Sequence, residues 1–342
     1  MATEIAWEQI GRGDPRLFGA PRHHVGKGEY RGLEFIEVEA RTLINAIPEA
    51  AQLPFRWTIN VYRGCSHACT YCFARPTHEF LGMDAGRDFE RRIVVKVNAV
   101  EVLRGETRPG RWAGESIAMG TNTDPYQPAE GKYRLTRGVV EVLTERRNPF
   151  SILTKSPLVL RDLDLLEAAA EVADVSVSFS IGTLDEAVWR LSEPGTAHPL
   201  RRVEAIARLR ERGIRSGVLI APVLPGLSDA PEQVEQVVKA CLDAGATSVG
   251  ALLLHLRPGV SEQYLPWLAS VRPDRLASHR EAYRDGAHDI EGQRRLSELV
   301  AEMVERHGGL PDTGDHRRSR PPAPSSAGHR PHRRSHQLRL GI

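Results

Sequence analysis

Six short apolar runs recur along this 342-residue chain, at 57–62, 116–119, 150–154, 175–181, 217–222 and 249–255. Helical patterns lie between them at 70–81, 133–145, 163–171, 199–212 and 231–244, the last two ending at Gly213 and Gly245. The runs are continuous rather than alternating apolar and polar residues, as expected of strands covered on both faces. A helix between successive strands permits parallel pairing and argues against a chain of hairpins. Six such units are too few for a closed eight-unit barrel. The fold class is therefore α/β, built either as a partial barrel or as an open, doubly wound sheet.

The rest of the chain frames this repeat. Residues 1–44 carry Gly, the basic residues Arg22, His23, His24 and Lys27, and one strand pattern at 33–38. They are expected to form an N-terminal extension packed on the α/β body. A further segment, 92–106, lies between the first helix and the second strand. Helical patterns return at 262–269, 274–283 and 291–307, whereas from Gly308 onward Pro, Ser, Arg and His dominate without periodicity, as in disordered segments. The expected division is 1–44 extension, 45–260 α/β body, 261–310 helical region and 311–342 basic tail.

Charge divides along the same line. From His316 to Ile342 the chain has seven arginines and no acid. Removing them from the whole-chain +2 leaves residues 1–315 at −5. A strongly basic global surface is thus excluded, and affinity for nucleic acid would have to come from a local patch or the tail. No apolar run approaches the roughly 20 residues that span a bilayer, and no basic-then-apolar leader opens the chain. The expectation is a cytoplasmic monomer with no membrane partner.

Three of the four cysteines, Cys65, Cys69 and Cys72, fall in the run Gly-Cys-Ser-His-Ala-Cys-Thr-Tyr-Cys-Phe, directly after the first strand pattern. Such clustering reads as metal binding rather than a disulfide framework. Thiolates favour zinc or iron–sulfur clusters. A structural zinc would need His67 or His78 as a fourth ligand, and no second ligand pair of the usual zinc spacing follows. A cluster on three cysteines leaves one iron open to a small molecule. Residues at the C-terminal end of a strand lie on the functional face of a parallel α/β protein, which suits a reactive site. Cys241 falls mid-helix and reads as an inert core residue.

Cys65-x3-Cys69-x-Tyr71-Cys72, with an aromatic before the last cysteine, resembles the loop of the radical S-adenosylmethionine (SAM) superfamily. The resemblance covers about residues 55–260 and implies the (βα)6 partial barrel of TIM type. It implies that Cys65, Cys69 and Cys72 hold a [4Fe–4S] cluster whose open iron takes SAM. It also implies an electron donor of flavodoxin or ferredoxin type, and a 5′-deoxyadenosyl radical that abstracts hydrogen from a substrate. Tyr71 and Phe73, which flank Cys72, are expected at the cofactor.

Later strand ends extend the site. After the second strand come Thr121, Asn122, Thr123 and Asp124, short polar side chains at the position where the family meets the methionine amino group of SAM. As residues alone they equally make a turn and a helix cap. Ser176, Ser178 and Ser180 share one face of the fourth strand, with Ser178 and Ser180 toward the SAM ribose or as satisfied core serines. Pro222 lies in the segment that resembles the family's adenine contact. Arg257 follows the sixth strand, on a face shared with His255. Tyr126, Lys155 and His255 are the candidate catalytic side chains, Lys155 as a phosphate or carboxylate anchor or a partner of Asp124 or Glu130. Glu193-Pro194-Gly195-Thr196-Ala197 with Arg201 and Arg202 is a candidate substrate clamp, the arginines alternatively being exposed helix residues.

The runs Cys72-Phe-Ala-Arg-Pro-Thr-His-Glu-Phe, Thr-Asn-Thr-Asp-Pro-Tyr-Gln-Pro and Ala-Pro-Val-Leu-Pro-Gly-Leu resemble the DNA-repair-photolyase-like group, related to spore photoproduct lyase. Those lyases use a cysteine hydrogen donor near the second strand's end, where this chain has Thr121-Asn122-Thr123. A hydroxyl donates hydrogen atoms far less readily than a thiol, so dimer repair is not carried over, and nucleic acid stays one candidate substrate. Three classes follow: a SAM-cleaving enzyme, a nucleic-acid-binding protein with structural zinc, and an electron-transfer iron–sulfur protein. The long α/β body favours the first.

Overall fold

The structure, a computed structural model, describes residues 17–51, 53–284 and 289–309. The tail expected at 311–342 lies outside the described residues. Strands β4 (Trp57–Ile59), β7 (Ile117–Met119), β8 (Phe150–Thr154), β9 (Val175–Ser180), β10 (Arg215–Val223) and β11 (Val249–Leu253) line up in chain order as one sheet. Every pair among these six is parallel, and β3 (Ile44–Ala46) adds antiparallel to β4 at one edge. The sheet is that of the expected partial barrel, with β3 and β11 as its two edges.

Alternation along each strand sorts the two faces. On β9, Val175, Val177 and Phe179 are buried in the main core, together with Ala205, Ile206 and Leu209 of the helix Pro199–Glu211. Ser176 and Ser178 point the other way and are only half-buried, beside Ser151 and Leu153 of β8 and Gly217 of β10 in register. The concave face here carries serines and a glycine around Leu153, whereas the convex face packs beneath helices.

Several elements differ from the sequence reading. The run 57–62 divides: β4 stays in the large sheet, whereas β5 (Tyr62–Arg63) pairs with β6 (Arg92–Lys96) in a second sheet. β1 (Leu17–Val25) and β2 (Glu34–Ala40) complete it, and β2 runs parallel to β6. Residues before 45 therefore share a sheet with residues after it. Segment 92–106 is β6 followed by a helix, Ala99–Glu106.

The helix expected at 70–81 is instead a series of turns ending in a 3₁₀ stretch, Arg75–Leu81, because the chain must wrap the cysteines rather than extend. The helix expected at 133–145 breaks at Arg134, whose φ of 52° is left-handed. The expected helix spans Leu135–Glu145, and a separate short helix, Pro128–Tyr133, precedes it. The break is stabilised by Glu130, whose carboxylate accepts from the backbone N–H of Thr136 at 2.9 Å and of Arg137 at 3.3 Å, the orphan donors of a helix start.

Candidate active site

The cysteine loop follows β5, which the chain reaches just past the C-terminal end of β4. Cys65 and Cys69 are buried and Cys72 is half-buried, and all three are free thiols. Burial pushes each thiol up, Cys69 to about 12, and the Cys65 thiol is raised further by Asp124 and by the other two cysteines. Buried thiols of this kind ionise when a metal takes them. Among the described residues no three His, Cys, Asp or Glu side chains gather around one point as a single ion requires. An iron–sulfur cluster takes each thiolate on a different iron, so its cysteines need not converge in that way. Of the two histidines of the zinc alternative, His67 has Nδ1 3.4 Å from Asp124 Oδ2, and His78 Nε2 bonds Arg92 O at 3.0 Å.

The loop is held from four sides. Gln127, with no exposed surface, donates through Nε2 to Gly64 O at 2.9 Å and accepts from Ser66 N at 3.1 Å, bracketing Cys65. Buried Arg75 donates to Cys69 O through both Nε, at 3.0 Å, and Nη2, at 2.8 Å. Gly195 N donates to His67 O at 3.0 Å, and a Cβ on Gly195 would lie 2.2 Å from Ser66 O. Asp124 faces the loop through His67 and accepts from Thr154 Oγ1 at 2.6 Å and Lys155 N at 2.7 Å. Burial alone would raise its pKa, but His67, Thr154 and the Lys155 N–H together hold it below the usual carboxylate value.

Lys155 pairs with neither Asp124 nor Glu130 through its ammonium. Its Nζ reaches Glu193 Oε1 at 3.0 Å, Ser180 Oγ at 2.8 Å and Ala221 O at 3.3 Å, and lies 5.4 Å from the Tyr71 ring centre. Glu193 also accepts from the Tyr71 hydroxyl, from Arg202 Nη2 at 2.5 Å and from Thr196 Oγ1 at 3.2 Å. Burial works against its charge, yet Arg202 and Lys155 hold its carboxyl well below the usual range. Of the two arginines considered for a clamp, Arg202 is fully buried in this network and Arg201 is exposed.

The other sequence candidates separate into groups. Phe73 stands 46% exposed beside Cys72; Arg257 donates to its carbonyl oxygen and lies over its ring at 5.9 Å. Thr121, Asn122 and Ser178 are half-buried, the first two at the end of β7 and Ser178 on the concave face of β9. Thr123 is buried and donates to Tyr62 O at 3.2 Å. Pro222 follows a cis peptide bond near the end of β10. His255 is half-buried just past β11.

Tyr126, a candidate catalytic side chain, has no exposed surface, and its hydroxyl donates at 3.1 Å to buried Asp162, which Arg137 also contacts. Cys241 is buried in the core, as expected. Gln127 and Arg75 escaped the sequence reading. Only the motif Tyr126-Gln127-Pro128, a helix-start signal, hinted that Gln127 sits at a rim.

Residues 59–241 match the radical SAM superfamily. This chain belongs to that superfamily. Over 297 residues it is 43% identical to the Uncharacterized protein Rv2578c of Mycobacterium tuberculosis, covering 86% of this chain and 85% of that one. It is 23% identical over 268 residues to the Radical SAM Nalpha-GlyT isomerase of Pseudomonas phage M6, covering 73% of this chain and 54% of the phage protein. Among solved structures, spore photoproduct lyase complexed with dinucleoside spore photoproduct superposes with a TM-score of 0.60 at 16% identity, over 81% of both chains. That likeness shows the shared fold. As a radical SAM enzyme the chain uses SAM and an iron–sulfur cluster, and needs a reductant. No helix among its described residues is long and apolar enough to cross a membrane.

Proposed function

We propose that Cys65, Cys69 and Cys72 hold a [4Fe–4S] cluster with one iron open to SAM, and that the substrate sits over the serine-lined concave face. The observation that carries this reading is the loop itself: three free thiols, pinned from four sides, just past the C-terminal end of the first parallel strand. When bound, the pair supplies an electron to the SAM carbon–sulfur bond and a 5′-deoxyadenosyl radical that abstracts hydrogen. The chain's own tasks are to orient SAM and to keep water away. Thr121 and Asn122, at the end of β7, are proposed to meet the amino group of SAM, and Ser178 its ribose. Tyr71, Ser180 and the Lys155 ammonium form the polar wall beside Cys69. Phe73 and Arg257 flank Cys72 at the mouth, and Pro222 and His255 stand at the remaining strand ends. A flavodoxin- or ferredoxin-type protein is the proposed reductant.

For the substrate, we propose a nucleic-acid component, supported by the dinucleoside carried by a protein of the same fold. Thymine-dimer repair is not part of the proposal, since Thr121-Asn122-Thr123 supplies no thiol there. Reduced enzyme incubated with deuterated nucleosides, oligonucleotides and peptides should move label into 5′-deoxyadenosine from the nucleic-acid set. Label arriving only from peptides would overturn the substrate class. No cluster in the anaerobically purified protein, with zinc in its place, would overturn the whole reading.

A further inference from the structure

Four side chains distant in sequence meet beside Cys69: Tyr71 in the loop, Lys155 after β8, Glu193 at the end of the helix Glu186–Ser192, and Arg202 on Pro199–Glu211. We propose that Glu193 is a positioning residue that fixes the Lys155 ammonium and the Tyr71 hydroxyl against the cysteine loop. Its charge, set against the two cations, tunes the reduction potential of the cluster. This inference rests on the reading that the cysteines hold a cluster, and it adds how the protein controls that cluster.

The geometry favours positioning over direct contact with a ligand. The two carboxylate oxygens of Glu193 accept from Tyr71 and Lys155 on one and from Arg202 on the other, with Thr196 Oγ1 3.2 Å from the second and sharing its one proton with Glu193 O at 2.9 Å. That leaves at most one lone pair of the carboxylate for an outside group. Arg202 stands behind it. Its guanidinium also donates to Ser180 O at 2.9 Å and to Ala197 O at 2.8 Å, so it ties the end of β9 to the loop that carries Glu193. The same loop is laid on the cysteines, since Thr70 N donates to Ser192 O at 3.0 Å and Gly195 packs against Ser66. A shift of Glu193 would therefore move the cation, the aromatic and the cluster loop together.

The charges do not cancel. Two cations and one carboxylate leave one net positive charge in a buried setting next to Cys69. Charge near an iron–sulfur cluster is a principal control of its potential. A neighbouring positive charge stabilises the added electron and raises the potential, and a negative charge lowers it. Replacing Glu193 by Gln removes the negative charge and turns an amide N–H₂ toward groups that are themselves donors.

The test uses anaerobically reconstituted full-length protein and measures iron content, midpoint potential, and kcat against KM for SAM cleavage. Glu193→Gln should keep its irons, shift the potential positive and lower kcat about 10- to 100-fold, as loss of an outer-shell partner typically does. Lys155→Met should shift the potential the opposite way. Glu193→Asp keeps the charge but shortens the reach, so it should leave the potential near wild type while kcat falls. A purely structural carboxylate would produce no such pair of opposite shifts. Unchanged potentials in Glu193→Gln and Lys155→Met, or shifts of the same sign, would overturn the proposal. If Glu193→Gln fails to fold, Lys155→Met and Glu193→Asp decide it: a negative shift in the first with the second near wild type supports the proposal, and an unshifted Lys155→Met overturns it. A wild-type protein that takes up no cluster would refute the cluster reading instead, which keeps the two failures apart.

Discussion

Gln127 is the side chain whose two ends do different jobs: its amide N–H₂ donates to Gly64 O and its carbonyl accepts from Ser66 N, on either side of Cys65. No apolar residue replaces both, and leaving a buried backbone group unpaired costs about 1–3 kcal/mol. Gln127→Leu should therefore lower stability in urea by that order and reduce the iron retained per chain. Gln127→Glu keeps the acceptor but sets a buried carboxylate against Gly64 O, so it should lose at least as much on both measures. Unchanged stability and full iron content in Gln127→Leu would mean the bracketing bonds do not matter. Gly195→Ala is the sharper probe of the opposite side of the loop. Its new Cβ would lie 2.2 Å from Ser66 O, a backbone atom that cannot swing away as a side-chain tip can. The expected result is a folded protein by circular dichroism with the iron-to-protein ratio at least halved, and full iron content would contradict it.

At the level of elements, the strands were the most legible part of the sequence. The run 150–154 became β8 with the same bounds, because a buried parallel strand is an uninterrupted apolar stretch. The run 57–62 misled for the same reason: apolar continuity does not record that Tyr62 turns into a different sheet. The cysteine site was legible because its ligands are close in sequence. Glu193 and Arg202 were legible together as a candidate clamp, but Lys155, 38 residues from Glu193, was not joined to them, since pairing over tens of residues leaves no period to read. Nor did the sequence show how the open sheet protects its edge. Gln293, on the helix Ile290–Arg306, accepts from Leu253 N at 2.8 Å and donates to Ala251 O at 3.0 Å, imitating a neighbouring strand on β11. Such capping guards an edge against pairing with other chains. Gln293→Ala should speed amide exchange at Leu253 and cost about 1–3 kcal/mol in urea. Unchanged exchange at Leu253 would show that the helix covers the edge without this amide.

Across the whole molecule, the two sheets divide the work around the loop. The large sheet offers a concave face that carries serines and a rim of strand ends, and the small one draws Tyr62 and Arg63 away just before the cysteines begin. Tyr62 is anchored further by its hydroxyl, which donates to buried Glu130 at 2.5 Å. The loop is thus suspended between two sheets, with Gln127, Arg75, Gly195 and Asp124 holding its turns. A rigid cradle of this kind suits a reactive cluster better than a flexible hairpin would. The central claim is that these three cysteines hold a cluster that cleaves SAM. It is tested most directly by reconstituting the protein with iron and sulfide without oxygen, reducing it with dithionite, and quantifying 5′-deoxyadenosine from added SAM. Wild-type protein should release it, and Cys69→Ala of equal fold should release none. Intact SAM in the presence of a reduced wild-type cluster, or equal cleavage by Cys69→Ala, would contradict the account.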